Sequence, residues 1–100
     1  MHVRSLLVCE DIEQRLRVCR LLGRLFYSQS SDIASRFNLC FRQWLNRSSD
    51  CDTGIRTLMA KCLVQILKNK PNLASDIEGS LLRLLADPDV DIRSVVVHNL

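Results

Sequence analysis

Residues 87–100 read DPDVDIRSVVVHNL, and the place of one arginine in that stretch decides the fold. An apolar run follows Arg93 as it would at the start of a helix, and Asp87, Asp89 and Asp91 precede it. A helix N-terminus carries partial positive charge, so acids suit its first turn and a base there is unfavourable by about 0.3–1 kcal/mol. The three aspartates obey that rule and Arg93 breaks it. Residues 50–56, DCDTGIR, repeat the arrangement ahead of a second apolar run, TLMAKCLVQIL. Arg56 and Arg93 stand 37 positions apart; aligning them superposes Asp50 on Asp87, Asp52 on Asp89 and Ile55 on Ile92. A weaker copy, CEDIEQR at residues 9–15, keeps Asp11 four places before Arg15 but has Cys9 where the earlier aspartate would stand. Beyond the arginine Val18, Met59 and Val96 align, as do Leu22, Leu63 and Leu100. The chain carries an internal repeat of about 40 residues.

The segments between these turns have the period of helices. In EQRLRVCRLLGRLFY, residues 13–27, the spacing places Val18, Leu21, Leu22, Leu25 and Phe26 on one face. The next segment, SSDIASRFNLCFRQWLNR, offers Ser31 and Asp32 as caps and carries Phe37, Phe41, Trp44 and Leu45. Residues 53–69 predict a helix with Ile55, Leu58, Met59, Cys62, Ile66 and Leu67 inward. Lys70-Pro71-Asn72 reads as a turn, because proline disfavours helix in the residue before it and opens a helix well. A further helix runs to Ala86 with Ile77, Leu81, Leu84 and Leu85 apolar; Asp87-Pro88 ends it, and the last helix starts near Asp89. No segment alternates as a strand would.

Each repeat is therefore a pair of helices joined at an aspartate-rich turn, with the arginine in the first turn of the second helix. Two helices alone cannot bury both apolar faces, whereas stacked pairs share one core. The expected fold is all-α: a right-handed α-solenoid of about two and a half repeats, 1–29, 30–70 and 71–100, in one segment. Stacking also explains the arginine, if it reaches a turn aspartate of the adjacent repeat. Asp50, Arg56, Asp87 and Arg93 are then expected to form a structural ladder.

Composition excludes several classes. The longest uninterrupted apolar stretch falls far short of the roughly 18 residues of a membrane span, so no membrane role is expected. The five cysteines, Cys9, Cys19, Cys40, Cys51 and Cys62, include no C-x-x-C pair, and His2 and His98 lie at opposite ends, so no metal site is expected. Free cysteines imply a reducing compartment. There is no Gly-rich phosphate loop and no plausible Cys/His pair, so neither an enzyme nor a cofactor is expected.

Charge supplies the one hint of a partner surface. All of the +3 net charge resides in residues 1–50, with eight Lys/Arg against five Asp/Glu. Five places after each repeat's arginine stand Arg20, Lys61 and His98, and Arg24 and Lys68 widen the row. These five form a candidate basic stripe for an acidic partner such as DNA phosphate, an inositol phosphate or an acidic protein segment.

DPDVDIRSVVVHNL resembles the HEAT repeat, whose second helix commonly opens with an Asp-Pro turn, a branched apolar residue and Arg. A closer likeness runs through RLRVCRLLGRLFYSQSSDIAS (15–35), WLNR (44–47), DCDTGIR (50–56), LKNKPNLASDI (67–77) and LLADPDVDIR (84–93). In that order these stretches are similar to the N-terminal HEAT array of the cohesin regulators named for precocious dissociation of sister chromatids. Where that family tends to place a proline and a glycine, this chain has Leu39 and Asn46. The resemblance implies a non-enzymatic scaffold in the nucleus, on chromatin, that binds cohesin through its kleisin subunit and meets other cohesin regulators. It also implies that the second helices line a concave side, and that the chain is a section of a longer array. The alternative is a HEAT scaffold of another pathway, a nuclear transport receptor or a condensin-type subunit.

Overall fold

The structure, a computed structural model, describes residues 3–28 and 32–99. Ser31, His2 and Leu100, which enter the reading above as a cap, a metal candidate and the third aligned leucine, lie outside the described residues. Among those described, the elements are α1 (Val3–Leu6), α2 (Ile12–Tyr27), α3 (Ile33–Arg36), α4 (Asn38–Leu45), α5 (Thr53–Asn69), α6 (Ala74–Leu85) and α7 (Val90–Val97). Short 3₁₀ turns at Asn46–Ser49 and Pro71–Leu73 link α4 to α5 and α5 to α6. The described residues contain no strand, and none of their helices is long and apolar enough to cross a membrane.

Local chemistry accounts for where the long helices begin. Asp11, Asp52 and Asp89 sit in extended backbone as the N-caps of α2, α5 and α7. Each carboxylate accepts from amides two or three residues on: Glu13 and Gln14, then Ile55, then Asp91 and Ile92. Such caps contribute about 0.5–2 kcal/mol apiece by satisfying otherwise orphaned donors. At the far end of α5 the Asn69 side-chain amide donates to the Tyr27 carbonyl at 3.0 Å, tying the C-terminal ends of α2 and α5 together.

The three capped helices pack in chain order, α2 on α5 and α5 on α7, while α6 packs on both α5 and α7. The molecule measures 35 × 31 × 17 Å, a thickness that suits two helical layers. α5 lies at the centre, and Ile55, Met59, Leu63 and Ile66 are fully buried. Each such side chain contributes roughly 1.5–3 kcal/mol of burial. Between α2 and α4 the core is aromatic: Phe26 meets Phe41 edge-on at 4.9 Å and Trp44 at 5.1 Å. The buried Trp44 indole N–H donates to the Cys19 carbonyl at 3.0 Å.

Two expectations about apolar faces are corrected. Leu21 is 59% exposed and Leu25 is also exposed; the buried stripe of α2 is Arg15, Cys19, Leu22, Gly23 and Phe26. It is displaced because α5 packs against the Cys19–Gly23 side. A Cβ on Gly23 would lie 2.5 Å from the Cys62 Sγ, so glycine is what permits that approach. The helical segment read after the Ser31 and Asp32 cap candidates is instead two helices, interrupted at Phe37 (φ −123°, ψ 56°), without a proline. Both halves rest against α2, which a straight helix crossing it would leave after a turn or two. Phe37, one of the large apolar residues of that segment, is 59% exposed at the break.

Candidate functional site

The structure answers the opening puzzle with a seam of charged hydrogen bonds along the turns. Arg15 forks onto Asp50, Nε to Oδ2 at 3.1 Å and Nη2 to Oδ1 at 3.0 Å. Arg56 does the same to Asp87, at 2.8 and 3.4 Å. Each arginine also turns its Nη1 back on its own turn: Arg15 donates to the Cys9 and Glu10 carbonyls, Arg56 to those of Asp50 and Cys51, and Arg93 to that of Asp87. Those carbonyls, five and six residues upstream, offset the misplacement against the helix dipole. The bidentate forks add the strongest geometry available to an Arg–carboxylate pair.

The aspartates divide the labour. Those four residues before each arginine cap the helix; those six before, Asp50 and Asp87, receive the preceding repeat's arginine. Asp50 is the denser node, since Arg47 Nη1 also donates to its Oδ2 at 3.1 Å and the Asp52 amide to its Oδ1 at 2.9 Å. Asp87 likewise accepts from the Asp89 amide at 2.9 Å. Both carboxylates are buried. Burial by itself pushes their pKa up. Hydrogen bonds from Arg15 and the Asp52 amide, with the charges of Arg15 and Arg47, outweigh it and hold Asp50 below the usual carboxylate value. For Asp87 the Asp89 amide and Arg56 do the same, helped by the charge of Arg93. Arg15 is in turn held charged more firmly than an ordinary arginine, chiefly by its hydrogen bonds to Asp50 and despite its burial.

Of the four ladder residues named from sequence, Arg56 and Asp87 pair with each other, Asp50 pairs with Arg15 and Arg47, and Arg93 meets the Asp87 backbone. Arg15 was legible, because the CEDIEQR copy aligns it with Arg56 and Arg93. Arg47 occupies no repeat position and carried no signal.

The basic residues sort into a cluster and two outliers. Arg20 and Arg24 of α2 and Lys61 of α5 line one groove of about 360 Å³, with Tyr27, Leu58, Cys62 and Gln65. Lys68 is exposed a turn beyond Gln65 on the same face of α5. His98 is exposed at the C-cap of α7, its Nδ1 3.0 Å from the Ser94 Oγ. A second groove, about 430 Å³, lies between α4 and α6 and is lined by Asn38, Arg42, Asp76 and Arg83 among others. Among the described residues no three His, Cys, Asp or Glu side chains gather as metal ligands. The buried Cys62 and Cys19 thiols are pushed up by desolvation, to about 11 and about 12.

Comparison with known proteins gives this architecture a family. The family model described as "Sister chromatid cohesion protein PDS5 protein" matches residues 3–100. Over 87 residues the chain is 36% identical to Sister chromatid cohesion protein PDS5 homolog A of Homo sapiens, covering 87% of this chain and 6% of that one. It is equally similar to PDS5 homolog A-B of Xenopus laevis, covering 7% of that protein. It is 33% identical to PDS5 homolog B of Gallus gallus over the same length. The chain thus spans less than a tenth of the length of these relatives. The charged seam and the aromatic core both lie within the matched residues, and the chain belongs to the PDS5 family of sister chromatid cohesion proteins.

Proposed function

We propose that this chain is a section of a non-enzymatic scaffold that regulates cohesin and sister-chromatid cohesion on chromatin in the nucleus. In this reading the helix pairs are about two and a half HEAT-type repeats, 1–29, 30–70 and 71–100, of a right-handed α-solenoid. Kleisin and other cohesin regulators are its protein partners. The observation that carries the reading is the family match from residue 3 to residue 100. The seam supports the scaffold half of it: an arginine that joins each turn to the next is a device for holding helix pairs in register.

The exposed row of Arg20, Arg24, Lys61 and Lys68, extended by His98, serves in this proposal as an electrostatic partner surface, with DNA phosphate, an inositol phosphate or an acidic protein segment as the chemistry it accepts. The test is charge reversal. With all four Arg/Lys positions changed to Glu in the protein expressed in cells, retention on chromatin against rising salt should fall and its salt dependence should flatten, with circular dichroism unchanged. A folded variant that resists salt extraction as the wild type does would remove the stripe from the proposal.

A further inference from the structure

Three grooves among the described residues differ in whether their cations are engaged. Beside the seam, a groove of about 250 Å³ is lined by Arg15, Arg47 and Asp50, which bond one another. Between α4 and α6, Arg42 bonds the Asn38 side chain at 2.9 Å and Arg83 bonds the Ser49 hydroxyl at 3.0 Å, with Asp76 supplying a local negative charge. The groove between α2 and α5 is different. None of its lining residues is acidic, and among the described residues Arg20, Arg24 and Lys61 have neither a hydrogen-bonded partner nor a carboxylate within ion-pair distance. Its floor is partly apolar, with Cys62 buried and Leu58 and Tyr27 half-buried.

We propose that this groove docks an extended acidic peptide that carries an aromatic or aliphatic side chain among its carboxylates. The inference rests on the reading of the basic row as a partner surface and says what occupies it. Three features select the occupant. Arg20 and Arg24 stand one helical turn apart, about 6 Å along the axis. An extended peptide sets alternate side chains about 6.6 Å apart, so successive carboxylates on one side of it meet successive arginines. Lys61, across the groove on α5, supplies the opposite rim, and Lys68 adds positive charge about 10 Å further along that helix, beyond the groove's lining. Between the rims, Leu58, the Tyr27 ring and the edge of Cys62 offer a surface that suits a peptide side chain and gives a phosphodiester nothing. Affinity for a nucleic acid duplex grows with the number of phosphates neutralised, and these four cations by themselves supply few such contacts.

Fluorescence anisotropy of the 100-residue chain decides the matter, with a fluorescein-labelled peptide of glutamates interrupted by a central phenylalanine as probe. The peptide should bind, and binding should weaken at least tenfold in R20Q/R24Q/K61Q while remaining within twofold of wild type in R42Q/R83Q, whose cations line the other groove. Replacing the glutamates by glutamine should abolish binding, and replacing the phenylalanine by glycine should weaken it several-fold. Because the ligand-side changes leave the protein untouched, they hold even if the triple variant folds poorly. Equal binding to both variants, or to the glutamine peptide, overturns the proposal. A fluorescein-labelled DNA duplex that binds more tightly than the peptide, and loses affinity through the same three residues, overturns it in favour of nucleic acid. If the peptide fails while charge reversal still releases the protein from chromatin, the peptide falls and the partner surface stands.

Discussion

Replacing Arg56 by alanine tests whether the seam holds the fold together or merely decorates it. Arg56 makes four hydrogen bonds: two to the Asp87 carboxylate at 2.8 and 3.4 Å, and one each to the Asp50 and Cys51 carbonyls at 2.9 and 3.2 Å. The pair is largely removed from water, with side-chain exposures of 16% and 5%. Removing one member of a fully buried ion pair costs about 3–5 kcal/mol, because the other charge is left uncompensated. Here the Asp87 carboxylate keeps the Asp89 amide and the nearby charge of Arg93, so the expected loss is lower, about 2–3 kcal/mol. In a domain of this size that corresponds to a fall of roughly 10–20 °C in Tm. Urea melts followed by far-UV circular dichroism, and separately by the fluorescence of the buried, single Trp44, measure it. The double variant R56A/D87A should lose less than the sum of the two single variants, since it buries no orphaned charge. A loss below about 1 kcal/mol for R56A, the range of exposed surface pairs, would refute the reasoning.

The seam also fixes a pH dependence: Asp50 and Asp87 have folded pKa values below the ordinary one, so the unfolded chain binds their protons more readily. Their contribution is complete above the unfolded value near 3.9 and is lost as pH falls below it through the depressed folded values. The stability gap between wild type and D50N should accordingly narrow in urea melts as pH drops from neutrality towards 3. Gly23 and Gly79, both inside helices, should respond oppositely to alanine. Gly23→Ala drives a Cβ to within 2.5 Å of the Cys62 Sγ and 3.3 Å of the Trp44 ring and should destabilise by about 1–3 kcal/mol. Gly79→Ala, with nothing within 4 Å, should stabilise by about 0.5–1 kcal/mol in the same urea melts. The Cys19 and Cys62 thiols, raised to about 12 and about 11 by burial, should resist iodoacetamide at mildly alkaline pH until urea unfolds the chain, while the exposed Cys51 reacts first. Mass spectrometry of timed digests reads the order, and early labelling of Cys62 would count against its packing on Gly23.

Features that depend on neighbours within a few residues could be read from the amino-acid order. Caps at Asp11, Asp52 and Asp89, the breaker at Asp87-Pro88 and the 3.6-residue period all act within about one helical turn. The extents of α2, α5 and α6 and the start of α7 were therefore legible to within a residue or two. The repeated arginine six residues after an aspartate was legible too, because a charge that breaks a local rule in register points to a non-local partner. Everything set by the rotation and closeness of one helix against another emerged only on folding. The sequence pattern centred the apolar face of α2 near Leu21 and Leu25. The approach of α5 at Gly23 moved it to Cys19, Leu22 and Phe26. Nothing local breaks the chain at Phe37; α3 and α4 part there where both lie on α2. Arg47 became a second donor to Asp50 through the path of the 3₁₀ turn after α4. Of the five basic residues that repeat arithmetic put in one row, packing gathered Arg20, Arg24 and Lys61 about a groove and left Lys68 and His98 off it. Periodicity says which side of a helix is wet, whereas the crossing of two helices decides which wet residues meet.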